Sequence, residues 1–269
     1  MQIKFIKQIT QALSLYQYND IPVLKLQHTL GEAEISLQGA QLLSWKPTHA
    51  NQDVFWLSEV EPFSLGQAIR GGVPICYPWF GATKQPAHGT ARNRLWELTD
   101  YVEQEEHVQL TFSLFDENKN LEAKMDMTLG ETCELCFTHL GKEPAQVALH
   151  SYFHVQDIEK TELFGLPNTV FNALTQQQQA VDSPRKIAEL VDEIYLAQGD
   201  SYIEDIGNQR QIEVAHQHAS EIVVWNPWYK AMSGMNEQGY RTMVCVETAR
   251  LSQLLQPNEQ IGVVIRVRK

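Results

Sequence analysis

The feature of this sequence that most constrains its fold is a series of short segments in which apolar and polar residues alternate. Side chains along a β-strand point to opposite faces in turn, so this alternation is typical of strands with one buried face. The segments are rich in Val, Ile, Leu, Phe and Thr, and Gly, Pro, Asn or Asp separates them. They read IPVLKLQH, AEISLQ, LWELTDYVE, HVQLTFSLF, AKMDMTL, CELCFTHL, QVALHSYFHV, QIEVAHQH, EIVVWNP, TMVCVET and IGVVIRVRK.

Many short strands without long helical patterns predict an all-β protein, an antiparallel sandwich or barrel. Only residues 4–16 and 184–191 have the pattern of short helices. A sandwich of 269 residues can form one domain, and no linker divides the chain, so we expect residues 1–269 to be a single domain. The first 16 residues lack a continuous apolar region and a small-residue cleavage site, so we expect no signal peptide.

The charge of the chain limits its partners. The sequence has 21 Lys and Arg against 33 Asp and Glu, a net charge of −12. This charge repels nucleic acid and anionic membranes, and no apolar run is long enough to span a bilayer. We therefore expect a small molecule as the partner, with no nucleic acid and no membrane bound. We also expect the protein to be a monomer.

The four cysteines are few for a chain of this length and are typical of the reduced thiols of a cytoplasmic protein. Cys133 and Cys136 form a C-x-x-C motif, but they lie in an alternating segment. A strand would point residues three apart to opposite faces. Because no second pair completes a zinc site, we expect neither a metal nor a redox role for them.

One stretch of this acidic chain contains no acidic residue. Residues 62–96 lack Asp and Glu, although an even spread of acidic residues would place roughly four there. The basic residues of this stretch are Arg70, Lys84, His88, Arg92 and Arg94. Guanidinium groups in a loop rich in Gly and Pro suit a small anion such as a phosphate or a carboxylate. Glycines in its RGG, FGA and HGT motifs would let the backbone approach that anion; a solvated basic loop is the alternative.

The segment ALHSYFHV combines a polar and aromatic face with a mainly apolar one. In a strand, His150, Tyr152 and His154 share the polar and aromatic face, which suggests a sheet that lines a cleft. The two histidines would bind a metal only if a carboxylate or a third imidazole joined them, and no metalloprotease-type motif is present. A purely structural role is the alternative.

The segment VCVETA places a carboxylate, Glu247, in an apolar run. Burial of a carboxylate is costly unless it is hydrogen-bonded or paired. Apolar surroundings also raise its pKa toward the range in which a general base is efficient. Alternatively, Glu247 faces water at a strand end or pairs with Arg250. Trp225 and Trp228 of VVWNPW could stack on a sugar ring, but packing in a core is the favoured interpretation.

Five motifs in their order along the chain resemble signatures of the hexose-6-phosphate mutarotases, the glucose-6-phosphate 1-epimerase branch of the aldose 1-epimerase family. They are IRGGVPICYPWFG, PAHGTAR, ALHSYF, VVWNPW and VCVETA, and the similarity extends from about Leu37 to Val267. The resemblance implies a large antiparallel β-sandwich of the galactose-mutarotase type with few short helices. It also implies an isomerase that interconverts the α and β anomers of hexose 6-phosphates by acid/base-catalysed ring opening and closure.

The resemblance further implies roles for individual residues. Its catalytic pair falls on His150 and Glu247. We assign Glu247 as the base at O1 and protonated His150 as the acid at the ring oxygen O5, and we expect the two groups on opposite edges of the sugar. This scheme requires neither a metal nor an organic cofactor. The resemblance implies substrate binding by Arg70, Arg92 and Asp192, and the basic residues His88 and Lys84 are secondary candidates for the phosphate.

The chain departs from the family motifs at four positions, which leaves the identity of the sugar open. Thr90, Glu193 and Trp228 replace the usual aromatic, arginine and glycine residues, and Ala87 lies where some relatives carry glutamine. Three other functions stay possible at this point. They are an epimerase for unphosphorylated aldoses, a non-catalytic carbohydrate-binding protein on the same fold, and a cation-dependent enzyme that uses His150, His154 and Glu247.

Overall fold

Antiparallel strands dominate the chain. The computed structural model describes residues 1–269, and every ladder between its named strands is antiparallel. The strands are β1 (Ile3–Gln8), β2 (Leu13–Tyr18), β3 (Ile21–His28), β4 (Gly31–Ser36), β5 (Gln41–Pro47), β6 (Ile75–Cys76), β7 (Glu97–Glu103), β8 (His107–Phe115), β9 (Leu121–Gly130), β10 (Cys133–His139), β11 (Ala145–Leu149), β12 (Tyr152–His154), β13 (Thr161–Phe164), β14 (Thr169–Asn172), β15 (Gln177–Ala180), β16 (Arg185–Lys186), β17 (Val191–Leu196), β18 (Ser201–Asp205), β19 (Arg210–Gln217), β20 (Glu221–Asn226), β21 (Met243–Leu255) and β22 (Gln260–Arg268).

These strands form three sheets. The first is a five-stranded meander in the order β1-β2-β3-β4-β5. The second has nine strands in the order β16-β13-β18-β19-β22-β10-β9-β8-β7. The third has eight strands in the order β15-β14-β17-β20-β21-β11-β6, and β12 pairs with β21 beside this path.

The nine-stranded and eight-stranded sheets pack on one another around the main core, a cluster of 53 buried residues. Val244 and Val246 of β21 belong to this cluster, as do Ile212 of β19 and Val263 of β22. The residues that alternate with the two valines on β21 therefore lie on the outer face of the eight-stranded sheet. This packing confirms the predicted all-β sandwich.

The alternating segments form strands, but the two predicted helices are wrong. Residues 4–16 contribute to the β1–β2 hairpin, in which Phe5 pairs with Tyr16, and residues 184–191 contain β16 and the first residue of β17. A short isolated helix is marginal in water. Pairing with a sheet edge satisfies the same backbone groups and brings the rings of Phe5 and Tyr16 to 5.5 Å in an edge-on contact.

The helices of the chain are four short 3₁₀ turns, which confirms the expectation of few short helices. They span Ala91–Asn93, Ile158–Lys160, Ile206–Asn208 and Gly239–Thr242. No helix has both the length and the apolar character needed to cross a bilayer. The first turn carries Arg92, and the other sequence-predicted site residues lie on the eight-stranded sheet or in the chain between β5 and β7.

Candidate active site

His150 and Glu247 face each other across two antiparallel strands of the eight-stranded sheet. The pairing of β11 with β21 places Leu149 opposite Thr248, and β12 continues in the same register. The residue between the two short strands, His150, is therefore opposite Glu247. Nδ1 of His150 lies 3.3 Å from Oε1 of Glu247. The structure thus brings the two predicted catalytic residues together.

The pair is buried, and its polar atoms are incompletely satisfied. His150 is 7% exposed and Glu247 is 1% exposed. Although Nδ1 and Oε1 are close, their geometry is not that of a hydrogen bond, and neither Nδ1 of His150 nor Oε2 of Glu247 has a hydrogen-bond partner. Buried polar atoms are nearly always paired. These two atoms are thus available to the polar groups of a ligand.

The orientation of the His150 ring is set from several sides. Its backbone N–H donates to the carbonyl oxygen of Pro74 at 3.0 Å. Its ring stacks on that of Tyr152, with centroids 4.8 Å apart and an interplanar angle of 8°, and the ring of Trp225 approaches edge-on at 6.2 Å. These contacts fix the orientation of the imidazole on the outer face of the eight-stranded sheet.

The surroundings of Glu247 favour its neutral form. Burial raises the pKa of Glu247 well above its ordinary value, and the negative charge of Asp192 raises it further, while Arg92 lowers it. A carboxyl group with a raised pKa is a more efficient general base near neutral pH than an exposed one.

The surroundings of His150 also favour its neutral form. Burial lowers the pKa of His150 well below its ordinary value, and His88, Arg92 and Arg70 lower it further. The pKa values of the carboxyl group and the imidazole are thus shifted toward each other. Such convergence suits a reaction in which protons must move in both directions.

Arg70 and Arg92 both keep N–H groups available beside the pair. Nε of Arg70 donates to the carbonyl oxygen of Ser233 at 2.7 Å, and its Nη1 donates to the hydroxyl oxygen of Tyr152 at 3.3 Å. Nη2 of Arg92 donates to the carbonyl oxygen of Ala87 at 2.7 Å, while its buried Nε has no partner. Two partly exposed guanidinium groups with free donors suit an anionic ligand.

His88 is a further neighbour of the pair. Its ring centroid lies 5.6 Å from that of His150 and 4.9 Å from that of Phe80. Burial, together with Arg92 and Arg70, lowers the pKa of His88 to about 4. His88 is therefore neutral at pH 7, so it can contact a ligand by a hydrogen bond but adds no charge.

Two basic residues of residues 62–96, the acid-free window, have other partners. The Lys84 side chain is exposed and lies 5.5 Å above the ring of Trp79, and Arg94 forms a 2.6 Å ion pair with Glu122. The structure does not bring Lys84 or Arg94 into contact with the catalytic pair.

Asp192 lies on the same face of the sheet as the pair. It is opposite Trp225 across β17 and β20, and Trp225 is opposite Cys245 across β20 and β21. Burial raises the pKa of Asp192, Lys230 lowers it, and Glu193 raises it. A half-buried carboxyl group at this place can accept a hydrogen bond from a sugar hydroxyl.

The glycines of the window serve the protein's own packing. A Cβ atom on Gly72 would lie 2.1 Å from the carbonyl oxygen of Leu42, and one on Gly89 would lie 2.0 Å from that of Tyr77. Both glycines have positive φ, +59° and +77°. We expected these glycines to let a ligand approach the backbone. Instead, Gly72 and Gly89 let the loop pack closely against the protein's own backbone. Only Gly81 faces open space among these three.

Two aromatic neighbours of the pair, Tyr152 and Trp225, are not among the predicted substrate-binding residues. Tyr152 holds Arg70 and stacks on His150, and Trp225 is half-buried on the outer face rather than in the main core, with its ring 6.0 Å from that of Tyr152. The signal for Tyr152 was present in its two-residue spacing from His150. No local signal identified the face on which Trp225 lies.

Cys245 is a further neighbour of the pair that is not among the predicted site residues, and His154 is not part of this group. The ligand-capable atoms of His150, Cys245 and Glu247 all lie within 4.8 Å of one another. His154 is outside this group, and the charge of Arg210 helps burial to lower its pKa. The interpretation that joined His154 to the pair in a cation site is therefore wrong.

Two departures from the family motifs have clear structural positions. Glu193 accepts hydrogen bonds from Arg185 and Tyr195 on the core side of β17, so it does not face the site. Trp228 has a φ of 49°, a conformation that favours glycine, and its ring packs on Tyr240 at 5.3 Å.

Comparisons with known proteins agree with this architecture. The aldose 1-epimerase family profile matches residues 22–268. A protein of Haemophilus influenzae named "Putative glucose-6-phosphate 1-epimerase" is 50% identical over 271 residues, which cover 100% of both chains. A crystal structure of a "putative mutarotase" from Salmonella typhimurium is 35% identical, with a TM-score of 0.94 over 99% of this chain and 97% of that one.

A more distant structure identifies the type of fold. Galactose 1-epimerase from Lactobacillus acidophilus is 12% identical and has a TM-score of 0.74, over 99% of this chain and 98% of that one. At this identity the likeness concerns the fold alone. The sandwich is of the galactose-mutarotase type, as predicted.

Proposed function

The chain belongs to the aldose 1-epimerase family, and we propose that it interconverts the α and β anomers of hexose 6-phosphates, glucose 6-phosphate first among them. The observation that carries this proposal is the 3.3 Å approach of His150 to Glu247, with two guanidinium groups beside the pair. An acid, a base and an anion site are the groups that this reaction needs.

The position of the pair fits the two oxygens at which protons move. O1 and O5 of a pyranose are bonded to the same carbon, so the groups that serve them must lie close together. The sequence suggested that acid and base occupy opposite edges of the sugar. Their direct contact supports a different arrangement, in which both approach the anomeric centre from the floor of the site.

In the proposed reaction, Glu247 and His150 open the sugar ring and then close it from the other face. Glu247 takes the proton of the O1 hydroxyl, the C1–O5 bond breaks as the C1=O1 double bond forms, and His150 gives a proton to O5. Rotation about C1–C2 turns the other face of the aldehyde toward O5, and closure reverses both transfers. Each of the two groups contributes roughly 10²–10⁴ in rate.

The phosphate supplies binding energy and charge. Arg70 and Arg92 can form charge-assisted hydrogen bonds to its oxygens, roughly 1.5–3 kcal/mol each. Its negative charge also offsets the guanidinium charges that lower the pKa of His150, which helps His150 to be protonated when the substrate is bound. Asp192 and His88 are proposed to bind sugar hydroxyls, and Lys84 remains a secondary candidate outside the pair's immediate surroundings.

This chemistry needs only the two protein groups, so the proposal includes no metal and no organic cofactor. We also propose that the protein acts as a monomer in the cytoplasm, with a small sugar phosphate as its partner and without nucleic acid or membrane. The reduced thiols and the strong negative charge of the chain support this setting.

Exchange spectroscopy by NMR tests the proposal. We expect the protein to accelerate exchange between the anomeric signals of glucose 6-phosphate and to act much less on glucose. Equal acceleration for both sugars would favour an epimerase for unphosphorylated aldoses. Chemical-shift changes on binding without faster exchange would favour a non-catalytic carbohydrate-binding protein.

A further inference from the structure

The thiol of Cys245 lies beside the catalytic pair but has no part in the proposed reaction. Cys245 and Glu247 alternate on β21 and so project from the same face, and His150 is opposite Glu247. Their ligand-capable atoms lie within 4.8 Å of one another, and all three residues are buried. Imidazole, thiolate and carboxylate are the three ligand types that zinc accepts most readily.

The spacing of these atoms is close to that of ligands on one metal ion. Tetrahedral zinc, with Zn–N and Zn–O bonds of roughly 2.0–2.2 Å and Zn–S bonds of about 2.3 Å, places neighbouring ligand atoms about 3.3–3.7 Å apart. Nδ1 of His150 and Oε1 of Glu247 are already 3.3 Å apart. Because Cys245 is within 4.8 Å of both, only a small side-chain adjustment would complete three bonds.

Two atoms of the cluster also lack any protein partner. Nδ1 of His150 and Oε2 of Glu247 are buried without a hydrogen bond. Coordination through Nδ1 and one carboxylate oxygen would give each of these two side chains the partner that it lacks.

We propose that His150, Cys245 and Glu247 bind a thiophilic divalent cation, Zn²⁺ above all, and that the bound cation inhibits the enzyme. Binding forms one bond to each side chain and releases the thiol proton, and that of the carboxyl group if it is present, to solvent; no electron is transferred. Three protein ligands would leave the fourth position of a tetrahedral ion for water. The inhibitory part rests on the proposed function, because the cation occupies the lone pairs that the base and the acid need.

The charges of the site allow a divalent cation to bind, and the types of its ligand atoms favour Zn²⁺. The thiolate and the carboxylate together balance a charge of +2, and Asp192 adds a nearby negative charge, while Arg70 and Arg92 oppose the cation. A site with one sulfur and one nitrogen ligand disfavours Mg²⁺ and Ca²⁺, which prefer oxygen.

Cobalt spectroscopy tests the site independently of activity. We expect the metal-free wild-type chain to bind one Co²⁺ with the near-ultraviolet band of thiolate-to-cobalt charge transfer, and Zn²⁺ to displace it. Cys245→Ala should lose this band, and Cys245→Ser provides a second variant if the alanine variant folds poorly. Cys133→Ala is the matched control, since Cys133 is equally buried but lies on β10 of the other sheet.

Inhibition provides the second readout. We expect Zn²⁺ to suppress anomer exchange in the wild type and in Cys133→Ala, reversibly with a chelator. Cys245→Ala should keep its basal rate and need at least about a hundredfold more Zn²⁺, since even loss of an outer-shell partner costs 10–100-fold in affinity. Absence of the thiolate band in the wild type, or its persistence in Cys245→Ala, would overturn the proposal. A thiolate band without anomer exchange would contradict the proposed function and leave the metal site standing.

Discussion

Nδ1 of His150 and Oε1 of Glu247 lie 3.3 Å apart on the outer face of the eight-stranded sheet. The backbone register of β21 with β11 and β12 fixes this approach, and burial removes both groups from water. Their pKa values move in opposite directions, down for the imidazole and up for the carboxyl group. The pair is therefore suited to reversible proton transfer.

The pH profile should respond to the charge of Asp192. Glu247 acts as a base only when ionised, so kcat/KM falls as pH decreases through its raised pKa. Asp192 raises that pKa, so Asp192→Asn should lower it and move the acid limb of the profile to lower pH. Asp182→Asn, at an exposed position, is the control and should leave the limb in place. An unchanged limb in Asp192→Asn would contradict the electrostatic assignment.

Phosphate preference should depend on Arg70 and Arg92 but not on Arg94. Loss of a charge-assisted bond of roughly 1.5–3 kcal/mol predicts that Arg70→Ala and Arg92→Ala each reduce kcat/KM for glucose 6-phosphate about 10–100-fold. The smaller activity on glucose should change much less. Arg94→Ala, which removes the ion pair with Glu122 and the hydrogen bond to the carbonyl oxygen of Phe115, should resemble the wild type. Equal losses of kcat/KM on both sugars would show that the arginines stabilise the fold and do not bind the phosphate.

Glu247 should reduce stability while it serves catalysis. Its folded-state pKa is raised, so its contribution to stability is present below its unfolded pKa of about 4.3 and is lost as pH rises through the folded value. Glu247→Gln cannot ionise, so its Tm should match the wild type near about pH 4 and exceed it at about pH 8. His150 is present in both proteins, so its own titration largely cancels in this comparison. A Tm that is lower at both pH values would contradict the prediction.

A pair of glycine substitutions tests why the window folds as it does. Both Gly89 and Gly81 have positive φ, but a Cβ atom would clash with Tyr77 at the first position and would meet nothing within 4 Å at the second. We expect Gly89→Ala to cost about 3 kcal/mol of unfolding free energy and Gly81→Ala about 1 kcal/mol, the cost of the backbone conformation alone. Denaturant unfolding measures both, and equal losses would contradict the packing explanation.

The strands that contain the alternating segments could be predicted from sequence because each carries its own local pattern. The alternation in IPVLKLQH, for example, needs no knowledge of its neighbours and corresponds to β3. The prediction for residues 4–16 was wrong because β1 is exposed along its whole length and has no buried face to mark it as a strand, and pairing with β2 decided its structure.

The site itself could be predicted only in part. Motif resemblance named His150 and Glu247, but their contact depends on the register of strands far apart in the sequence, which no local pattern specifies. Composition likewise could not separate Arg92, beside the pair, from Arg94, which binds Glu122. The sequence shows that Cys245 precedes Glu247 by two residues and so shares its face of the strand. Its approach to His150 depends on the same strand register and could not be predicted.

The most direct test of the central claim is the rate of anomer exchange of glucose 6-phosphate in Glu247→Gln. A matched control is Glu221→Gln, since Glu221 is also buried on β20 but is fully hydrogen-bonded to Ser252 and its neighbours. We predict that Glu247→Gln folds normally and loses roughly 10²–10⁴ in kcat, while Glu221→Gln keeps its rate. A folded Glu247→Gln protein with near-normal exchange would contradict the account.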